Sequence, residues 1–187
     1  KKQEKIIEPN EVGFFDCHCE ERSDAAISTE RGLPRPPMSI GGLAMTDNLR
    51  AGLLYVGQLE PHKGVILLLD AFEELKNIKS LALNIVGDGS LMLEIKKRVK
   101  NNPNIIIHGR VPREKLPEFY SHAKATIFPS MVYENAPMVI AESLSCGTPV
   151  IVSRLGGAPE LIRENENSVT FTPCDVDDLT EKMKKFL

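Results

Sequence analysis

From Ala51 onward, short apolar runs alternate with longer segments in which apolar residues recur at helical spacing. The runs are "GLLYVG" (52–57), "LALNIVG" (81–87), "NIIIHG" (104–109), "ATIFPS" (125–130), "PVIVS" (149–153) and "SVTF" (168–171). Runs this short that are apolar on both faces predict buried strands. The segments between them predict helices: "GVILLLDAFEELK" (64–76), "SLMLEIKKRVK" (90–100), "PREKLPEFYSHA" (112–123), "APMVIAESLSC" (136–146), "APELIRE" (158–164) and "DVDDLTEKMKKFL" (175–187). In the first, Ile66, Leu68, Leu69, Phe72 and Leu75 can share one face. Pro112 suits a first helical turn, Gly147 a helix C-terminus, and Asp175 an N-cap followed by acids. Strand–helix alternation of this kind predicts an α/β domain over 51–187: a doubly wound, mostly parallel, Rossmann-like sheet covered on both sides.

Residues 1–50 lack a sustained period of either kind. Pro34, Pro36, Pro37, Gly41 and Gly42 interrupt them, and only "EERSDAAIS" could form a helical turn. This segment is expected to be poorly ordered. The string "CHCEERSDAAIS" also resembles the translated palindromic repeats of some bacterial reading frames, which would make the segment inserted or read-through sequence.

Composition narrows the function. The net charge of −3 gives no case for nucleic acid or an anionic membrane as main partner. Trp is absent and aromatics are 5%, which argues against a stacking platform for single strands. No run is long and apolar enough to span a bilayer, and no signal-peptide pattern opens the chain. Cys17, Cys19, Cys146 and Cys174 do not make a disulfide framework, so a reduced, cytoplasmic setting is expected. "CHC" at 17–19 lacks a second ligand pair at zinc spacing, so no metal is expected.

In a doubly wound sheet, ligands gather at the C-terminal ends of the strands. The loops there are "GQLEPHKG", "GDGS", "GRVP", "PSMVYENAP" and "SRLGGAPE". Glycines let backbone N–H groups approach a ligand. Lys63, just before a helix, suits a phosphate, though a solvated turn lysine is the plain alternative. No G-x-G-x-x-G follows the first strand, which lowers the case for a dinucleotide cofactor. Glu134 precedes a helix and Glu142 lies about two turns into it, on the order of 10 Å away along the axis. That spacing suits two contacts on one long ligand better than a single hydrolytic carboxylate pair. The helix start between them favours an anion, less the N–H that Pro137 removes. A sugar, a diphosphate and a second hydroxyl-bearing ring fit this order. The plain alternative for Glu142 is a helix acid paired with a nearby base. His62 is read as a surface histidine, His108 as structural, and Cys146 as a small apolar residue at a helix end.

"GQLEPHKG", "IVGDG", "IIIHGRVP" and "ENAPMVIAESLSCGTPVIVSRLGGAPELI" together resemble the donor-binding half of the group 1 (family 4) retaining glycosyltransferases of GT-B architecture. The resemblance covers residues 51–187. Its most specific part is Glu134 and Glu142, then Cys146–Val150, then Gly156, Gly157 and Glu160. It implies one Rossmann-like half of a GT-B fold. It also implies that Glu134 touches the transferred sugar at the reacting face, that Glu142 binds ribose hydroxyls, and that Lys63 holds the diphosphate. Arg110 and Val111 would lie against the nucleobase, and Gln58, Asn135, Ala136 and Met138 would fall on donor-binding loops. The substrate would be a nucleoside diphosphate sugar, with neither metal nor cofactor.

Three departures qualify the resemblance. The family's usual Gly-Arg pair reads Gly57-Gln58, which removes a cation. The loop after Glu134 is Asn-Ala-Pro rather than Gly-Phe-Gly. The acceptor-binding half is not represented, because fifty unpatterned residues cannot build it. A donor-domain fragment, a subunit pairing with a separate acceptor-binding chain, and a decayed gene are the expectations this leaves. A non-catalytic nucleotide-sugar-binding module is the alternative function, and a sugar-nucleotide epimerase a more distant one. A place at the membrane periphery is compatible with either.

Overall fold

A computed structural model describes residues 51–187, apart from Lys79 and Asn167. The expectations for residues 1–50, including Cys17 and Cys19, lie outside the described residues. The described residues form a six-stranded sheet of order β3-β2-β1-β4-β5-β6, and every pairing is parallel. The strands are β1 (Gly52–Val56), β2 (Leu83–Val86), β3 (Ile105–Gly109), β4 (Ala123–Phe128), β5 (Val150–Ser153) and β6 (Val169–Phe171). The helices are α1 (Val65–Glu74), α2 (Met92–Val99), α3 (Leu116–His122), α4 (Met138–Ser145) and α5 (Val176–Lys184). This is the doubly wound parallel arrangement that the alternation predicts.

Strand pleating sorts the side chains into two layers. Leu53, Tyr55, Leu83, Ile85, Ala125 and Ile127 face one layer with Leu68, Phe72, Ile95, Leu179 and Met183 of α1, α2 and α5. Leu54 and Val86 face the other with Phe119 and Tyr120 of α3, while Phe128, Val150 and Val152 meet Ile140 of α4. Burial on both faces explains why the strands read as near-continuous apolar runs. A buried hydroxyl cluster ties α4 to the sheet. Ser143 Oγ donates to Thr126 Oγ1 at 2.8 Å and reaches the Thr148 carbonyl at 3.0 Å, and Thr148 Oγ1 donates to the Tyr120 carbonyl at 2.5 Å. Each of these three side chains is thereby satisfied in an environment that excludes water.

Prolines set the differences between predicted and observed helix bounds. The segment 112–123 divides into a 3-10 turn (Arg113–Lys115) and α3, with Pro117 in the first turn of α3. Pro117 has no N–H to give, so a continuous helix would lose a bond there. The helix expected at 136–146 begins at Met138, because Pro137 is extended (φ −68°, ψ 115°) and restricts Ala136 before it. Glu142 is therefore little more than one turn into α4, not two. The segment 158–164 forms only a 3-10 turn (Ala158–Leu161), after which Glu164 bridges to Ser168.

Asp175 caps α5 as predicted, accepting the Asp178 N–H at 2.9 Å. Asp178 in turn accepts the Thr172 N–H at 2.7 Å and pairs with Lys182 at 3.4 Å. Burial raises its pKa, but the Thr172 bonds and the Lys182 charge outweigh that and hold it below the ordinary aspartate value. A depressed folded-state pKa contributes stability above the unfolded value, about 3.9, and loses it as pH falls through the folded one. Asp178→Asn should therefore lower the urea midpoint at pH 7. The gap to the unmodified protein should narrow as pH falls from 6 to 3. A gap that stays constant with pH would show that the charge of Asp178 contributes nothing.

Candidate functional site

The strand order reverses direction between β1 and β4, which are hydrogen-bonded neighbours. From β1 the chain crosses through α1 to β2 on one side. From β4 it crosses through α4 to β5 on the other. The loops leaving these two strands must separate, and a crevice opens between them at the strands' C-terminal ends. The β1 loop carries Gln58 and Lys63, and the β4 loop carries Ser130 and Glu134.

The two loops meet closely. Gly64 lies in the left-handed region (φ 72°), where it caps α1, and a Cβ there would sit 1.9 Å from the Pro129 carbonyl oxygen. That approach brings Lys63 to the β4 loop, where its Nζ is 3.0 Å from Glu134 Oε1. Ser130 Oγ donates to the same oxygen at 2.7 Å. Lys63 and Glu134 side chains are each about a fifth exposed. Glu134 is also fixed from the far side, since its carbonyl accepts the Gly157 N–H at 2.9 Å. A Cβ at Gly157 would meet the Asn135 carbonyl oxygen at 2.2 Å, so the Gly-Gly turn is what lets the β5 loop lie against this backbone.

Lys63 and Glu134 line a cavity of about 120 Å³ with Tyr55, Gln58, Pro137 and Met138. At its edge is the start of α4, whose first backbone N–H groups have no partner within the helix. Tyr55 forms the floor. It is 2% exposed, and its hydroxyl donates to the Gln58 carbonyl at 2.7 Å. Burial raises the Tyr55 pKa strongly and the Glu134 charge adds to this, so the phenol stays a neutral donor. Gly57 and Gln58 also line a second cavity, of about 410 Å³, with Val86, Asp88, Arg110 and Val111. The two spaces share a wall along the β1 loop. A third, open bay of about 620 Å³ lies beyond Gln58, against Glu60, His62 and Asp88. Here Glu60 accepts both the Ser90 N–H (2.8 Å) and the Ser90 hydroxyl (2.6 Å), which joins the β1 and β2 loops. The Ser90 hydroxyl bond, then the N–H bond, hold the Glu60 pKa below its ordinary value.

The predicted residues thus fall into three groups. Lys63, Glu134, Gln58 and Met138 share one cavity, and Arg110 and Val111 share the next with Gln58. Asn135 and Ala136 lie on the loop leading into α4 and line neither. Glu142 also lines neither. Its Oε1 is 2.9 Å from Arg113 Nη2, and its Oε2 accepts the Tyr120 hydroxyl at 3.0 Å. The alternative of a helix acid paired with a base therefore describes Glu142 as it stands. Lys63, which the resemblance places on the diphosphate, is paired here with Glu134. His108 is structural, with Nε2 2.9 Å from Asn84 Oδ1 and its ring edge-on to Phe119; burial lowers its pKa.

Sequence reasoning missed Tyr55, Arg113, Tyr120 and Ser130. Ser130 had a signal, a hydroxyl at a strand end four residues before a loop carboxylate. Arg113 and Tyr120 had none, because only the fold brings them near Glu142, and Tyr55 was read as one more residue of an apolar strand. Among the described residues, no helix is long and apolar enough to cross a membrane.

A parallel sheet of this order, with loops of opposite crossovers meeting at its switch point, defines a Rossmann-like domain. Residues 48–187 match the family described as glycosyl transferases group 1, and the chain belongs to that family. It is 31% identical over 136 residues to the glycosyltransferase MJ1178 of Methanocaldococcus jannaschii, covering 72% of this chain and 37% of that protein. It is 33% identical over 121 residues to the lipopolysaccharide 1,2-N-acetylglucosaminetransferase of Salmonella typhimurium, covering 59% and 32%. In fold it is similar to Anabaena HepE in complex with UDP and glucose, with a TM-score of 0.64, 22% identity and coverage of 73% and 38%. The chain spans about a third of the length of these relatives.

Proposed function

We propose that this chain carries the donor-binding half of a glycosyltransferase that moves a sugar, with retention, from a nucleoside diphosphate sugar to an acceptor. The observation that carries the reading is the Lys63–Glu134 pair, 3.0 Å apart in a cavity that adjoins the Arg110–Val111 cavity along Gly57 and Gln58. In this reading the diphosphate takes Lys63 and the first N–H groups of α4, a site that suits an anion. Glu134 meets the hydroxyls of the transferred sugar, Arg110 and Val111 flank the base, and Glu142 takes the ribose. The chemistry asked of these residues is stabilisation of the charge that develops on the departing diphosphate. Lys63 supplies charge and Gln58 supplies a neutral donor. Asn135, Ala136 and Met138 shape the donor loop.

A second reading, a module that binds nucleotide sugar without transferring it, draws on Gln58. A neutral amide there stabilises a leaving diphosphate less than a cation would. Calorimetric titration with UDP, GDP and their sugars, followed by a transfer assay, separates the two. Binding is expected and should survive EDTA. Glu142→Ala should weaken it more than Glu134→Ala does, whereas Glu134→Ala should weigh on transfer. Negligible effects of both substitutions on affinity would remove the assigned roles. Tight binding with no transfer to any acceptor would favour the module.

A further inference from the structure

The carboxylate of Glu142 is held by two donors of opposite character. Tyr120 is 1% exposed, packed in the cluster of Leu54, Val86 and Phe119, and its backbone carbonyl is tied to Thr148. Its hydroxyl therefore has a fixed position behind Oε2. Burial, then the Glu142 charge and hydrogen bond, raise its pKa, so it stays a donor at any working pH. Arg113 is 71% exposed, on a 3-10 turn just after the Arg110–Val111 loop, and bonds Oε1 through one nitrogen. An exposed pair made by so long a side chain is weak, because ordering the chain cancels most of the attraction. The Glu142 side chain is only 22% exposed, and the exposed Arg113 covers it on the solvent side.

We propose that Tyr120 and Arg113 set the grip of Glu142 on a nucleotide's ribose: Tyr120 orients the carboxylate from inside, and Arg113 stands in for one hydroxyl until the nucleotide displaces it. This rests on the nucleotide-binding reading above. A carboxylate offers two oxygens with more than one lone pair each. A vicinal diol brings two O–H donors. Oε2 can keep Tyr120 and accept one hydroxyl, whereas Oε1 must exchange the guanidinium for the other. Arg113 yields because its bond is exposed and monodentate. Tyr120 does not, because packing holds it.

The test uses the full chain and the pairs UDP against 2′-deoxy-UDP and GDP against 2′-deoxy-GDP. The readout is the ribo-to-deoxy affinity ratio, in which the diphosphate electrostatics cancel. Arg113→Ala should raise the ratio about two- to five-fold, the most an exposed ion pair can withhold. Tyr120→Phe should lower it without a matching loss of thermal stability. Glu142→Ala should bring it close to one, and adding Arg113→Ala to that variant should change nothing further. A ratio that collapses in Glu142→Ala but is unchanged or lowered in Arg113→Ala overturns this inference and leaves the nucleotide reading intact. A ratio indifferent to Glu142→Ala overturns the ribose role and this inference together, as does failure of the unmodified chain to bind either nucleotide. If Tyr120→Phe fails to fold, the Arg113→Ala ratio alone decides.

Discussion

Gly64→Val should lower the free energy of unfolding by about 3–5 kcal/mol, the sum of a backbone strain term and an overpacking term. Both arise at one atom. The native φ of 72° disfavours any side chain and disfavours a β-branched one most. A Cβ would also meet the Pro129 carbonyl oxygen at 1.9 Å, which forces the β1 and β4 loops apart. Gly109 is the matched control. It has a similar φ of 68°, but nothing lies within 4 Å of a Cβ built there. Gly109→Val should cost little beyond the strain, about 1–3 kcal/mol. Urea unfolding of the two variants separates the terms, and equal losses would show that the contact with Pro129 carries no energy. Against a total stability on the order of 5–15 kcal/mol, the Gly64 change is large. What survives of the fold should also hold Lys63 away from Glu134.

Lys63→Ala should weaken the proposed nucleoside diphosphate binding about 10- to 100-fold, the equivalent of about 1.5–3 kcal/mol for hydrogen bonds to a charged group. Its effect on the empty protein should be small, under about 1 kcal/mol. The ion pair with Glu134 is partly exposed, and such pairs contribute little to folding. Lys63→Arg should keep part of the affinity, since it keeps the charge but changes the reach. Calorimetry with UDP and GDP gives the affinity, and thermal unfolding gives the stability. A large loss of stability with no loss of affinity would make the Lys63–Glu134 pair a structural tie and remove the phosphate role. A diphosphate that recruits Lys63 must draw it from Glu134, which leaves Ser130 as the donor that keeps the carboxylate in place.

Apolar side chains stand exposed beside this site. Tyr133, just before Glu134, is 66% exposed, and Met138, the first residue of α4, is 59% exposed. Met138 lines the same cavity as Lys63. Large apolar side chains beside a polar cavity suit a surface that another body completes.

The sequence by itself determined the element order, the parallel sheet and the identity of the loops that reach the ligand side. These are local or periodic properties: strands apolar on both faces, proline and glycine at element ends, and Asp175 before an acidic first turn. It also put Lys63 and Glu134 on loops at the C-terminal ends of their strands, through loop position alone. Only the tertiary structure decided which groups touch. Lys63 reaches the Glu134 oxygen that Ser130 also bonds from 71 residues away in the chain, since β1 and β4 are neighbours only through the crossovers. Arg113 and Tyr120 reach Glu142 because α3 and α4 lie side by side on one face of the sheet. Periodicity records how each residue is buried, but a contact between distant residues depends on how whole elements pack, and no local pattern encodes that.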